Sequence, residues 1–455
     1  MKKVNKIFFV WITIFTVITA NIQVFAQDSI SQIVQAEGYD VSIADMPKAS
    51  IVASVSNGEI LWQENPDLEL DPASLTKLMT IFIVYDAVKT GKISLTDKIQ
   101  ATASDQAISG ITILSNTPII TGVDYPVIEL VKMALIHSSN VATTMLANFL
   151  NSDADEFIDS MNNKAKELGM TNTTFTGPSG ALSRDYAGYY SPKKYSLTAP
   201  NQTTARDLAK LSIALLKAHP EITEITKNKE LTVMSGTPYA KTITNTNHSV
   251  EGDVLAYPGI VGLKTGTSER DGFNYIGIYK QDGVELVEVI LGVGNFENHH
   301  GEYNRHKIGN ALLQYVFKNF EHKTLFNPGM QTIDGQKVTL EHAVDVFVEK
   351  GKEPAVTVEG NTLKVQTNYG TLYGEEYTVK VEQAASDAQE STYIETTQNE
   401  EKLPKRIIEG LLRFLLKVPF LVWLAVLGFL FVLVMILNMK KKFKRRKTRI
   451  NRRGR

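Results

Sequence analysis

Two β-rich runs occupy residues 49–63, Ala-Ser-Ile-Val-Ala-Ser-Val and Glu-Ile-Leu-Trp-Gln, and meet at Asn57-Gly58. Asn-Gly is a strong hairpin signal because both positions tolerate positive φ. The apolar run Leu78, Met79, Ile81, Phe82, Ile83 then predicts a buried helix entered near Ser74. Pro126 precedes apolar positions at 127, 130, 131, 134 and 135, which is helical spacing, and 140–150, 161–168 and 203–216 read as further helices. Strand patterns return at 261–264, 275–279 and 286–293, and 311–317 closes as a helix. Strands at both ends with helices between them predict an α+β domain whose sheet takes its edge strands from opposite ends of the segment. Beyond it, 337–340, 344–348, 355–358, 363–366 and 377–381 are short alternating runs separated by Gly, Asn and Pro. They predict a small all-β domain, sandwich-like, over 323–383. None of its residues form a chemical set, so it reads as a spacer.

The two ends differ from this body. Residues 1–26 run from Lys2, Lys3 and Lys6 through an apolar stretch to Val24-Phe25-Ala26, the pattern of a cleavable signal peptide, with an uncleaved anchor as the rival reading. Residues 384–402 are polar and acidic, a linker. Lys405, Glu409, Arg413 and Lys417 then recur every four residues opposite Ile407, Ile408, Leu411, Leu412 and Leu415. This predicts an amphipathic helix over 403–417, suited to a membrane surface. Residues 418–437 carry no charge, and a transmembrane helix is expected over 418–439.

Charge supports that order. The last sixteen residues hold eleven Lys or Arg and no acid; taking them from the net charge of −1 leaves −12 for the rest. A basic tail (440–455) beside an apolar span reads as the cytoplasmic side of a single-pass anchor in the cell membrane, with the body outside, rather than as a nucleic-acid site. With 455 residues there is room for two or three domains, and without cysteine there are no disulfides and no thiolate chemistry.

Three short motifs carry the candidate chemistry. Ser74 and Lys77 lie three apart, so on one helical turn the amine can reach the hydroxyl, and a serine needs such a base to become a nucleophile. Ser138-Ser139-Asn140 sits between two predicted helices, where a cap is the ordinary explanation. Lys264-Thr265-Gly266-Thr267 ends a predicted strand, which is equally unremarkable alone. Their order in one exported chain is not ordinary: Ser-x-x-Lys, Ser-x-Asn and Lys-Thr-Gly together mark penicillin-binding proteins and serine β-lactamases.

At these residues the chain resembles the low-molecular-weight penicillin-binding proteins, the serine D-alanyl-D-alanine carboxypeptidases. The similarity runs over residues 40–320, through Pro-Ala-Ser-Leu-Thr-Lys-Leu-Met-Thr, Thr-Ala-Arg-Asp-Leu-Ala and Gly-Leu-Lys-Thr-Gly-Thr-Ser. It implies a transpeptidase-like catalytic domain over 27–322, a peptidoglycan stem peptide ending in D-Ala-D-Ala as substrate, β-lactams as covalent inhibitors, and no cofactor. It further implies that Ser74 attacks the carbonyl between the two D-alanines, that Lys77 takes its proton, and that Ser138 relays a proton to the leaving amine. Asn140 would hold the substrate amide and Lys77. Lys264, Thr265 and Arg305 would bind the terminal carboxylate, and the N–H groups of Ser74 and Thr267 would form the oxyanion hole. Gly266 belongs to the same motif, and Arg206 matches a family position near the site, although a surface salt bridge explains it equally well.

Four alternatives stay open. A β-lactamase needs a deacylating glutamate, and Glu167, inside a predicted helix, is no convincing one. A transpeptidase or endopeptidase would use the same residues. A zinc peptidase built on His299, His300, Glu302 and His306 lacks a metal-site spacing, and His137, beside Ser138, reads as packed or capping. The fourth alternative is a catalytically silent protein that only binds wall peptides.

Overall fold

The computed structural model describes residues 28–383. The signal peptide, linker, amphipathic helix, transmembrane helix and basic tail expected above lie outside the described residues; among those described, no helix is long and apolar enough to cross a membrane.

In chain order the elements begin with α1 (Ile30–Ala36), β1 (Ala49–Ser54), β2 (Ile60–Glu64), α2 (Lys77–Lys89), β3 (Lys98–Gln100), α3 (Ala103–Ser109) and β4 (Asp124–Pro126). Next come α4 (Val127–Ile136), α5 (Asn140–Leu150), α6 (Ala154–Glu167), α7 (Ala205–Ala218), α8 (Thr223–Thr226), β5 (Glu230–Val233) and β6 (Lys241–Thr244). Strands β7 (Ile260–Ser268), β8 (Gly272–Gln281) and β9 (Val284–Val293) follow, then α9 (Gly301–Asn319). The sheet is antiparallel in the order β2-β1-β9-β8-β7, so its edges do come from opposite ends of the segment. Both faces are covered. Ile51 and Ala53 of β1 join one cluster with α2, α4, α5 and α7, while Val52 joins another with α1 and α9. Every β1 side chain is therefore buried, which is why the run is apolar or small throughout rather than alternating with charges.

The first hairpin departs from a two-residue Asn-Gly turn. Ser54 N–H donates to Glu59 O (2.8 Å) and Gly58 N–H to Ser54 O (2.9 Å), closing a longer loop in which Gly58 has φ +75. That loop carries the contacts to the β-rich region. Its strands are β10 (Phe320–Phe326), β11 (Gly329–Ile333), β12 (Gln336–Leu340), β13 (Val344–Glu349), β14 (Val356–Glu359), β15 (Thr362–Val365), β16 (Tyr377–Lys380) and β17 (Glu382–Gln383). They form small antiparallel sheets around a separate core that includes Ile333, Val338, Leu340, Val346 and Leu363. Phe347 N–H donates to Glu59 Oε2 (2.9 Å), Asn57 Nδ2 to Asp345 O (3.1 Å), and Leu372 N–H to Gly58 O (2.9 Å).

Candidate active site

Ser74 lies not in α2 but in the 3-10 turn before it, Ala73–Thr76, and α2 begins at Lys77. Residues i and i+3 eclipse at three per turn, which brings Lys77 Nζ to 3.0 Å from Ser74 Oγ. The turn is entered through Ala73 at φ +47, a left-handed conformation that a side chain adopts only under constraint. Two glycines let the chain close around it. A Cβ on Gly180 would sit 1.8 Å from Ala73 O, and one on Gly266 would sit 2.6 Å from Pro72 O.

Lys77 is fully buried and also donates to Asn140 Oδ1 (2.8 Å) and Ser179 O (2.8 Å). Burial, and after it the cation of Lys264, hold its amine well below the ordinary lysine range. A neutral amine has two N–H donors and one lone pair. The amide and carbonyl oxygens can only accept, so they take both N–H groups, and the lone pair is left facing the Ser74 hydroxyl. In that neutral state Ser74 would donate to Lys77, the arrangement a general base requires.

Ser138-Ser139-Asn140 divides its labour. Ser139 caps α5, accepting from Ala142 N–H, so the ordinary cap is real. Ser138, at φ +59, and Asn140 are freed to face the cleft. Ser138 Oγ accepts from Lys264 Nζ at 2.9 Å, and Asn140 is held by its N–H (2.8 Å) and Nδ2 (3.0 Å) on Ser115 O. Lys264-Thr265-Gly266-Thr267 does not end its strand: β7 continues to Ser268, and the motif lies on the sheet's edge strand beside the Ser74 turn. The expectation of a strand ending at Lys264 failed because Gly266 reads as a breaker, when its missing side chain instead permits the close approach. Lys264 is buried and pulled down to about 7 by desolvation and then by Arg305. Thr265 Oγ1 pairs with Thr246 Oγ1 at 2.6 Å.

Arg305, buried on α9, donates to Gly266 O (3.1 Å), Asn274 O (3.4 Å) and Thr246 O (3.4 Å) and lines the same cleft. Arg206 is not brought there. Its guanidinium binds both oxygens of Asp67 (2.7 and 3.0 Å) and Gln63 Oε1 (3.1 Å), so of its two readings the salt bridge is the one the geometry realises. Glu167 is exposed at the end of α6, 3.5 Å from Lys164, and does not line the cleft. His306 is buried under Arg305 Nε (3.3 Å), and no group of three or more His, Asp or Glu among the described residues could hold a metal. His137 ends α4, half-buried, its carbonyl accepting from Ser115 Oγ (3.0 Å).

Ser74, Ser138, Asn140, Thr265, Gly266, Thr267 and Arg305 border a cleft of about 560 Å³. It offers a serine beside a buried lysine, a second serine beside a second buried lysine, and the Arg305 guanidinium in its wall. A model of the peptidase S11 family, D-alanyl-D-alanine carboxypeptidase, matches residues 45–295, more than half the chain. The chain belongs to that family.

Its relatives in the family include D-alanyl-D-alanine carboxypeptidase DacC of Escherichia coli K12, 31% identical over 325 residues that cover 70% of this chain and 72% of DacC. DacF of Bacillus subtilis 168, also a D-alanyl-D-alanine carboxypeptidase, is 26% identical over 68% of this chain and 75% of its own. Among solved structures, the peptidoglycan synthesis regulatory factor PBP3 of Streptococcus pneumoniae superposes with a TM-score of 0.64 at 23% identity, covering 76% of this chain and all of PBP3. At that identity the likeness speaks for the α+β fold alone.

Sequence reasoning missed Ser115, Ser179 and Thr246. All three accept through carbonyl oxygens, which every residue type possesses, so no side-chain pattern could have marked them.

Proposed function

We propose that this chain removes the terminal D-alanine from peptidoglycan stem pentapeptides through an acyl-enzyme on Ser74. The observation that carries this reading is the Lys77 amine, buried, held well below the ordinary lysine range and 3.0 Å from Ser74 Oγ. Ser74 Oγ adds to the carbonyl carbon of the penultimate D-alanine as Lys77 accepts its proton. The carbonyl oxygen becomes an oxyanion between the N–H groups of Ser74 and Thr267, where each donor is commonly worth about 3–4 kcal/mol. Ser138 passes a proton to the amine of the terminal D-alanine, the C–N bond breaks, and an ester remains on Ser74. Water then hydrolyses the ester, returning the free serine and a tetrapeptide. Asn140 orients both Lys77 and the peptide amide. Thr265 and the cations Lys264 and Arg305 take the terminal carboxylate.

A β-lactam amide enters the same steps, but its leaving nitrogen stays tethered, so the acyl-enzyme persists. The expected signal peptide and the uncharged span at 418–439 support a reading in which the catalytic domain faces outward and is held to the cell membrane by a single pass, with residues 440–455 on the cytoplasmic side.

Covalent labelling tests the nucleophile. Fluorescent penicillin should label the wild-type chain on the peptide containing Ser74 and leave Ser74→Ala unlabelled; undiminished label on a folded Ser74→Ala chain would overturn the assignment.

A further inference from the structure

Asp71 is buried at the lip of the cleft, three residues before Ser74, and nothing in the mechanism above uses it. Each of its polar groups is engaged. Oδ1 accepts from Ala73 N–H (2.9 Å) and Oδ2 from the Ser268 hydroxyl (2.7 Å). Its own N–H donates to Asp271 Oδ2 (2.9 Å), and its carbonyl accepts from Asn274 Nδ2 (2.9 Å). Asp271 is in turn held by Lys48 at 2.9 Å.

Ala73 is the residue before Ser74, and Ser268 is the residue after Thr267. One carboxylate therefore joins the two backbone segments whose N–H groups would receive the oxyanion. We propose that Asp71 is a positioning residue that sets the spacing of those two donors, holding the left-handed Ala73 turn against strand β7. This rests on the acyl-enzyme reading given above.

The bridge needs a carboxylate in particular. Ser268 Oγ already accepts from Arg270 N–H and Asp271 N–H, both at 3.2 Å, so its hydroxyl proton has to find an acceptor. Ala73 N–H needs one as well. A carboxylate presents two acceptor oxygens, whereas an amide presents one oxygen and an NH₂ that would face a donor. Burial also raises the Asp71 carboxyl, with Asp271 adding to the effect and the hydrogen bonds from Ser268 and Ala73 opposing it.

Asp71→Asn is the direct test, with acylation by penicillin, the KM for a D-Ala-D-Ala peptide and thermal unfolding measured on the full chain. The expected result is acylation at least about tenfold slower, as for a misplaced oxyanion donor, with KM nearly unchanged and a loss far larger than any fall in melting temperature accounts for. Wild-type acylation in Asp71→Asn would overturn the proposal. So would a loss that tracks a fall in melting temperature, because that is the mark of a structural residue. If Asp71→Asn does not fold, Ser268→Ala removes the same bridge from its other side; slow acylation in a stable Ser268→Ala chain supports the proposal and wild-type acylation overturns it. A wild-type chain that takes no penicillin at all would instead sink the acyl-enzyme reading.

Discussion

At the scale of single residues, the site is a set of buried basic groups that lower one another's proton affinity. Lys77 is depressed by burial and by Lys264, and Lys264 by burial and by Arg305. In the proposed mechanism the two lysines are needed in opposite states, Lys77 neutral as base and Lys264 charged for the carboxylate. Activity in the free enzyme should therefore be lost as pH falls toward the Lys77 value and lost again as pH rises through about 7, where Lys264 gives up its proton. Arg305→Gln removes a neighbouring charge, so Lys264 should hold its proton to higher pH and the alkaline limb of kcat/KM should move upward. The whole profile should also drop by roughly ten- to a hundredfold, since Arg305 makes charge-assisted bonds. An alkaline limb that stays in place in Arg305→Gln would show that Lys264 does not set it.

At the scale of elements, what could be read in the sequence was whatever periodicity or residue type encodes. Helix α4 after Pro126, α7 after its Thr204 cap, and strands β8 and β9 follow apolar spacing directly. So does the sheet built from both ends of the segment, because a hairpin at one end and three strands at the other have to pair somewhere. The trio of motifs marked Ser74, Lys77, Ser138, Asn140 and Lys264, and the fold brings these five together. What could not be read depended on tertiary contact. Strand β10, Phe-Glu-His-Lys-Thr-Leu-Phe, continues from α9 with no intervening Gly or Pro and buries only Phe320 fully, so it carries no core signature. The start of α6 at Ala154 is polar and set by its Asp153 cap rather than by an apolar stripe. The 3-10 turn at Ser74 is imposed by Asp71, Gly180 and Gly266 from outside the segment, and no local pattern announces it.

At the scale of the whole molecule, the β1–β2 loop joins the catalytic fold to the β-rich region through Glu59, which is buried and accepts from Phe347 N–H. Burial pushes this carboxyl up to about 7. The unfolded chain ionises Glu59 near the ordinary value of about 4.3, while the folded chain keeps it protonated until about 7. Folding thus takes up a proton in that window, and stability falls as pH rises through it, then levels off. Glu59→Gln can still accept from Phe347 N–H and has nothing to ionise. It should match wild type near pH 4.5 and exceed it by on the order of 2 kcal/mol at pH 7.5. Thermal unfolding of both chains at the two pH values checks this, and an equal difference at both would contradict it. The same joint fixes the β-rich region to the catalytic fold at a loop on the opposite side of β1 from the edge strand β7 that borders the cleft.

The measurement that bears most directly on the proposed carboxypeptidase activity is D-alanine release. The full chain in detergent is incubated with a pentapeptide ending in D-Ala-D-Ala, and mass spectrometry follows free D-alanine and the shortened peptide. The wild-type chain should release one D-alanine per peptide and Ser74→Ala none. Penicillin labelling of Ser74 without any D-alanine release would contradict that activity, leaving a transpeptidase or a binding protein that acylates and stalls.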